Sequence, residues 1–141
     1  MIKQISTLLT LLLMGPSFAH ATPECKISEF GNLEYDEQAH DLVFRSNDLI
    51  KARLGVVFGV GHKFTGLPEK SNIQFIITFA QSEAGPYNET ISIIELPSNY
   101  EVSYFKFSES KEIRQGYWRF AYAANGIEIC SKLFNVLASK N

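Results

Sequence analysis

The sequence predicts an all-β protein, an antiparallel β-sandwich of about seven or eight strands. Along most of the chain apolar residues alternate with polar or small ones, which is the pattern of strands with one buried face. Turn signals separate these runs at the short intervals typical of sandwiches, and no run predicts a helix long enough for a crossover connection. A chain of 141 residues with this pattern is expected to hold a single domain.

The N-terminal segment has the features of a secretory signal peptide. Lys3 provides a positive start, Ile5–Met14 is mostly apolar, and residues 19–21 (Ala-His-Ala) form a small-x-small cleavage site. The apolar run would reach only about 15 Å as a helix, about half of a bilayer core. We therefore expect residues 1–21 to be removed after Ala21, and the mature protein to be periplasmic or secreted with no membrane span.

The mature chain, residues 22–141, contains both cysteines, Cys25 and Cys130, 105 positions apart (130 − 25). In an oxidising compartment two cysteines most simply form one disulfide bond, which here would fasten the two ends of the domain. A redox-active thiol is the alternative, and the missing C-x-x-C pattern disfavours it.

Individual strands follow from the alternation. Between Ile50 and Phe64 every even-numbered residue except His62 is apolar, which predicts one long strand bent at one of its glycines. The other expected strands before the last hairpin are Cys25–Leu33, Asp41–Arg45, Asn72–Ala80, Asn88–Leu96 and Tyr100–Ser108.

The clearest local signal is the dipeptide Asn125-Gly126, which favours a two-residue hairpin turn. Such a turn would pair Tyr122 with Ile129 and Trp118 with Leu133. The predicted core stripe of this hairpin is Trp118, Phe120, Tyr122, Ile127, Ile129 and Leu133.

The same register places Cys130 on the opposite face of the hairpin. Either the disulfide lies on that outer face or at a sheet edge, or a bulge near Ser131 turns the cysteine inward. Phe134 and Val136 share the parity of Cys130, which favours the bulge.

Three segments resemble a bacterial family catalogued as domain of unknown function 3859. Residues 50–60 (IKARLGVVFGV) are similar to its "IPA-x-LG-x-x-FG" core, with Lys51 where the family has proline. Residues 116–120 and 132–136 are similar to its G-x-W hairpin and its closing K-x-F-x-V strand, and Ile27–Gly31 suits its opening strand. The resemblance implies an immunoglobulin-like sandwich and assigns no catalytic residues.

Several functions are disfavoured by composition. Thirteen basic against fifteen acidic residues give a net charge of −2, so no basic face for nucleic acid is expected. The motifs of serine hydrolases, phosphate-binding loops and dinucleotide-binding sites do not occur, and we expect no cofactor.

Two histidines remain after cleavage. His62 ends an apolar run and is expected to be structural. His40 lies in an acidic loop, and Asp36, His40 and Asp41 are the residues there that could bind a metal ion, although no metal-binding motif is present. A small hydrolase or metal-binding enzyme using His40 or His62 is therefore an alternative function.

Two features suggest binding. Bare glycines flanked by basic residues would allow close approach of a ligand, and the chain has more tyrosines than a core needs. The candidate binding surface comprises Lys51, Arg53, Gly55, Gly59, Gly61, Tyr100, Tyr104 and Tyr117. We thus expect a monomeric, non-catalytic binding or accessory module whose partner is an unknown protein or envelope ligand. A structural pilus-type subunit is a second alternative.

Overall fold

The computed structural model describes residues 21–139, so the predicted signal peptide lies almost wholly outside the described residues. Two β-sheets pack face to face, which confirms the all-β prediction. The strands are β1 (Glu24–Asp36), β2 (Asp41–Arg45), β3 (Leu49–Ala52), β4 (Val57–Thr65), β5 (Asn72–Ala80), β6 (Glu89–Pro97), β7 (Val102–Lys106), β8 (Gly116–Ala124) and β9 (Ile127–Ala138). One sheet has the order β2-β1-β4-β7 and the other β3-β9-β8-β5-β6.

The predicted long strand from Ile50 to Phe64 is two strands in different sheets, which raises the strand number to nine. The chain leaves β3 at Arg53, crosses to the other sheet and enters β4, and Gly55 adopts a positive φ of 83° in this connection. Leu54 was expected on the buried face and is instead 52% exposed. The separated β3 pairs parallel with β9, the exception to the antiparallel pattern among the described strands.

The C-terminal hairpin forms at the predicted turn, where Asn125 and Gly126 both have positive φ. Its register differs from the prediction, because Tyr122 faces Cys130 and Trp118 faces Phe134. The shift occurs between Tyr122 and Ala123, whose partners are Cys130 and Glu128, so Ile129 is the extra residue of a β-bulge. The expected bulge exists, two residues before the predicted position.

This bulge exchanges the two faces of β9. Cys130 now shares the inner face with Phe134 and Val136, whereas Leu133 lies opposite Arg119 on the outer face. Ile127 is 70% exposed. Ile127 and Leu133 were therefore wrong as core residues, while the β8 members of the stripe are fully buried.

The core between the sheets is mainly aromatic. Phe58 of β4 lies at its centre, with its ring 5.3 Å from those of Phe107, Phe120 and Phe134. The indole of Trp118 is completely buried and its Nε1 donates a 2.9 Å hydrogen bond to the carbonyl oxygen of Arg114, so burial leaves no polar atom of this ring unpaired.

The disulfide bond joins Cys25 of β1 to Cys130 of β9, with 5.8 Å between the Cα atoms. The two strands belong to different sheets, so the bond connects the layers of the sandwich. The predicted pairing is confirmed, and the bulge at Ile129 is what turns Cys130 toward β1.

Candidate functional site

An apolar groove runs over the outer face of the four-stranded sheet, with a volume of about 460 Å³. We call it the outer groove. Its lining residues come from β1, β2 and β7: Glu29, Leu33, Asp41, Leu42, Val43, Phe44, Val102 and Tyr104. The groove therefore spans the width of the sheet and is built on regular strands, which hold side chains more rigidly than loops do.

Strand β4 lies between β1 and β7 in this sheet and has two glycines on the same face as the groove. Gly59 lies opposite Tyr104 and Gly61 lies opposite Val102. A Cβ atom on Gly61 would lie 3.4 Å from the ring of Phe44, so that ring lies close to bare backbone. Both glycines are buried, because at these two positions the missing side chains let neighbouring side chains of β1, β2 and β7 lie close over β4.

The walls of the outer groove expose apolar surface. Leu42 and Tyr104 are each 56% exposed, and Val102 is also exposed, although all three lie in strands. The charged side chains that line the groove are Glu29 and Asp41, both acidic. An apolar surface with an acidic rim is suited to an apolar partner that carries positive charge.

Only part of the predicted binding surface comes together here. Tyr104 lines the outer groove, and Gly59 and Gly61 lie next to it on β4, opposite Tyr104 and Val102. The other five candidates are dispersed: Lys51 on β3 and Tyr117 on β8 in the five-stranded sheet, Arg53 and Gly55 in the β3–β4 connection, and Tyr100 before β7. Leu33, Leu42, Phe44 and Val102 also line the groove and were not predicted from the sequence as binding residues. Alternation within β2 was the available signal for Leu42 and Phe44.

A larger depression, of about 550 Å³, lies at one end of the sandwich between the β4–β5 loop and the β6–β7 turn. A few of the polar groups that line it bond to one another. Ser71 donates to the carbonyl oxygen of Pro68, and the amide of Ser98 donates to that of Ser71. The depression is built mainly from loops, which hold side chains less precisely than the strands of the outer groove do.

His62 is buried in the core, 2% exposed, as its position on an apolar face predicted. Its Nε2 lies 3.2 Å from the hydroxyl of Ser103, and that hydroxyl also bonds to the hydroxyl of Tyr122. The Nδ1 atom has no hydrogen-bond partner among the described residues. Burial lowers the pKa of His62 to about 4, so the imidazole is neutral at pH 7.

We expect the domain to lose stability on mild acidification because of His62. An unfolded histidine titrates near its ordinary pKa of 6.5, whereas the folded one titrates at about 4. Between these values the unfolded state binds the proton and the folded state does not, so stability falls as the pH falls through this window. From pH 7 to about pH 5 the loss should be about 2 kcal/mol.

Denaturant unfolding of the wild type and of a His62→Phe variant at both pH values tests this. Phenylalanine keeps a ring beside Phe64 and Tyr122 and cannot be protonated. The variant should show a smaller loss than the wild type by about 2 kcal/mol. Equal losses in the two proteins would show that His62 does not cause the acid sensitivity.

The acidic turn that carries His40 is held by its own carboxylates. Asp36 Oδ1 accepts hydrogen bonds from the amides of Gln38 and Ala39, at 2.9 and 3.0 Å, and these bonds hold the pKa of Asp36 below its ordinary value. Asp41 Oδ1 accepts one from the amide of Leu42. Within residues 21–139 no three His, Cys, Asp or Glu side chains are grouped so that they could hold a metal ion.

The fold defined by this geometry also occurs in a solved structure. The chain is similar to the crystal structure of an immunoglobulin-like protein from Pseudomonas aeruginosa, with a TM-score of 0.61 and 19% sequence identity, covering 84% of this chain and 99% of that one. The protein therefore has an immunoglobulin-like fold.

Other comparisons give no assignment. No curated protein matches the chain. No family matches it either, so the resemblance to the domain of unknown function 3859 stays a prediction. No helix among the described residues is long and apolar enough to cross a membrane.

Proposed function

We propose that this protein is an exported, non-catalytic binding or accessory module. Its outer groove would receive an apolar protein segment that carries a lysine or arginine. The observation that carries the proposal is the exposed apolar surface of Leu42, Val102 and Tyr104 on one face of the four-stranded sheet. Contiguous exposed apolar patches rimmed by polar residues often mark interaction sites.

The dimensions of the outer groove suit side chains of a protein partner. The flanking strands β1 and β7 are each one strand spacing from β4, which leaves about 10 Å between them. That separation leaves room for a side chain of a partner between the side chains of the two flanking strands. The ring of Tyr104 offers a large rigid contact area at low entropic cost, as tyrosines do at protein interfaces.

The positions of the histidines favour binding over catalysis. An enzyme using His62 would need a substrate to reach the core, since this side chain and Ser103 are both buried. His40 lies on an exposed turn whose neighbouring carboxylates, Asp36 and Asp41, bond to backbone amides. The pilus-type alternative is also less well supported, because Phe58 and Trp118 are fully buried without any strand from a partner.

Export is part of the proposal. The composition of residues 1–21 supports it, and so does the disulfide bond, which persists in oxidising compartments. The mature protein purified from the cell envelope or medium should begin at Thr22, which intact mass measurement would show. A mass that includes residues 1–21 would contradict cleavage.

Titration with short peptides tests the outer groove. We expect Lys-Phe-Val-Phe-Lys to shift the NMR amide signals of β1, β2, β4 and β7, and Glu-Phe-Val-Phe-Glu to shift them much less. Tyr104→Ala should weaken binding of the basic peptide at least about tenfold, whereas Tyr100→Ala, a tyrosine of similar exposure outside the groove, should not. Equal shifts by the two peptides, or equal effects of the two variants, would refute the proposal.

A further inference from the structure

Strand β6 forms a free edge of the five-stranded sheet, because it pairs with β5 and with no other described strand. It has nine residues, whereas the other edge strands β2, β3 and β7 have five, four and five. The backbone groups on its free side are available to another strand, and a long free edge promotes pairing between chains.

Strand β6 carries an exposed isoleucine on each of its faces. Ile93 is 57% exposed on the outer face, opposite Ile76. Ile94 lies opposite the buried Phe75 on the inner face and is nevertheless 47% exposed. The four-stranded sheet therefore does not cover β6, and an added strand would bury apolar surface on both faces.

Charge does little to protect this edge. The strand contains no lysine or arginine, and its two carboxylates lie toward its ends. Glu89 forms a salt bridge with Arg114, and Glu95 accepts a hydrogen bond from Asn72. A bulge at Ile91 interrupts the pairing with β5 but leaves the stretch from Ser92 onward in regular register.

We propose that β6 pairs antiparallel with β6 of a second copy of this chain, with Ile93 opposite Ile93. The strand is self-complementary in this register, since it is uncharged from Thr90 to Ile94 and carries an exposed isoleucine on each face. Glu95 of each copy then lies opposite Ile91 of the other, whereas centring on Ser92 would place Glu89 against Glu95. Such a two-fold contact closes on itself and joins the two five-stranded sheets.

With this pairing, we expect a concentration-dependent dimer in place of the monomer that the sequence predicted. The outer groove lies on the other sheet, so the dimer would leave both grooves open. Two linked grooves would increase the avidity for a repetitive partner surface. Pairing does not depend on groove binding, and Ile93→Lys should leave peptide binding unchanged.

Cysteine cross-linking tests the register. Residues opposite each other in antiparallel strands have Cα atoms about 4.5–5.5 Å apart, within the range that a disulfide bond spans. Under mild oxidation an Ile93→Cys variant should form covalent dimers at least about tenfold faster than a Leu54→Cys control, because pairing raises the local thiol concentration. Leu54 is similarly exposed but lies in the β3–β4 connection.

Analytical ultracentrifugation of the wild type and Ile93→Lys completes the test. The wild type should dimerise as its concentration rises, and a lysine on the edge should abolish this while preserving the fold. Three results would overturn the proposal: a wild type that stays monomeric, an Ile93→Lys variant that still dimerises, or equal cross-linking rates at positions 93 and 54. In the first case the free edge would be left for a strand of a different protein.

Discussion

Removing the Cys25–Cys130 disulfide is expected to lower the free energy of unfolding by about 4–5 kcal/mol, the value of the chain-entropy model for a loop of about 100 residues. The two cysteines are 105 positions apart, so the bond restricts nearly the whole unfolded domain. In the folded state it ties β1 to β9 across the layers, and Cys130 also packs against the core. This loss is a large part of the stability of a typical domain.

Guanidinium unfolding of the oxidised protein, the reduced protein and the Cys25→Ala/Cys130→Ala double variant measures this effect. The reduced protein keeps both sulfur atoms, so it separates the loss of the covalent link from the loss of packed side chains. Both altered forms should lose similar stability. A loss under about 1 kcal/mol in the reduced protein would contradict the entropic role of the bond.

Gly59→Ala is expected to destabilise the domain by about 3 kcal/mol, the upper end of the overpacking range. A Cβ atom at this position would lie 2.2 Å from the carbonyl oxygen of Ser103 and 2.7 Å from Cβ of Tyr104. The nearest obstacle is backbone, so β4 and β7 would have to separate. That separation would disturb the ladder that positions Tyr104 in the outer groove.

Gly61→Ala is the matched control, two residues along the same strand. Its Cβ atom would meet only side chains, with Ser28 Oγ nearest at 3.2 Å, and these can move by a few tenths of an ångström. We expect a loss of less than about 1 kcal/mol in thermal or denaturant unfolding. Equal losses in the two variants would show that β4 and β7 do not approach as closely as described.

Much of the fold follows from local pattern. The period-two alternation predicted β2 and β5 with the bounds that the structure shows, and Asn125-Gly126 marked the last hairpin correctly. These elements are predictable because one buried face dictates the alternation, and because a two-residue hairpin turn needs positive φ at both positions.

The separation of β3 from β4 near Gly55 could not be predicted from the alternation. Alternation continues unchanged from Ile50 to Phe64, because β3 and β4 each direct alternate residues into the same core from different sheets. Whether the chain bends within a sheet or crosses between sheets depends on tertiary packing. Leu54 has the right parity for burial and is exposed because it lies in the crossing.

The hairpin register depended on where the bulge lies. An extra residue in one strand reverses the parity beyond it, so a shift of the bulge from Ser131 to Ile129 changes which residues face the core. The positions of Phe134 and Val136 indicated the correct inner face of β9, since their parity agrees with that of Cys130. Ile127 and Leu133 misled the prediction because they are apolar residues that lie outside the buried core.

Only part of the outer groove could be predicted from the sequence. The glycines next to it, Gly59 and Gly61, were recognisable as one face of a strand without side chains, and Tyr104 as a tyrosine beyond the needs of the core. The walls depend on which strands flank β4, and the pairing of β4 with β1 and β7 joins segments far apart in the chain. Long-range pairing of this kind is not encoded in any one segment.

Site-specific photo-cross-linking in living cells tests the central claim most directly. A photoreactive residue would replace Tyr104 in one variant and Tyr100 in the other, and mass spectrometry would sequence the segment joined to each. We predict that position 104 joins a protein segment in which apolar residues flank a lysine or arginine, and that position 100 does not join this segment. Cross-links to the same segments from both positions, or to acidic segments from position 104, would contradict the account.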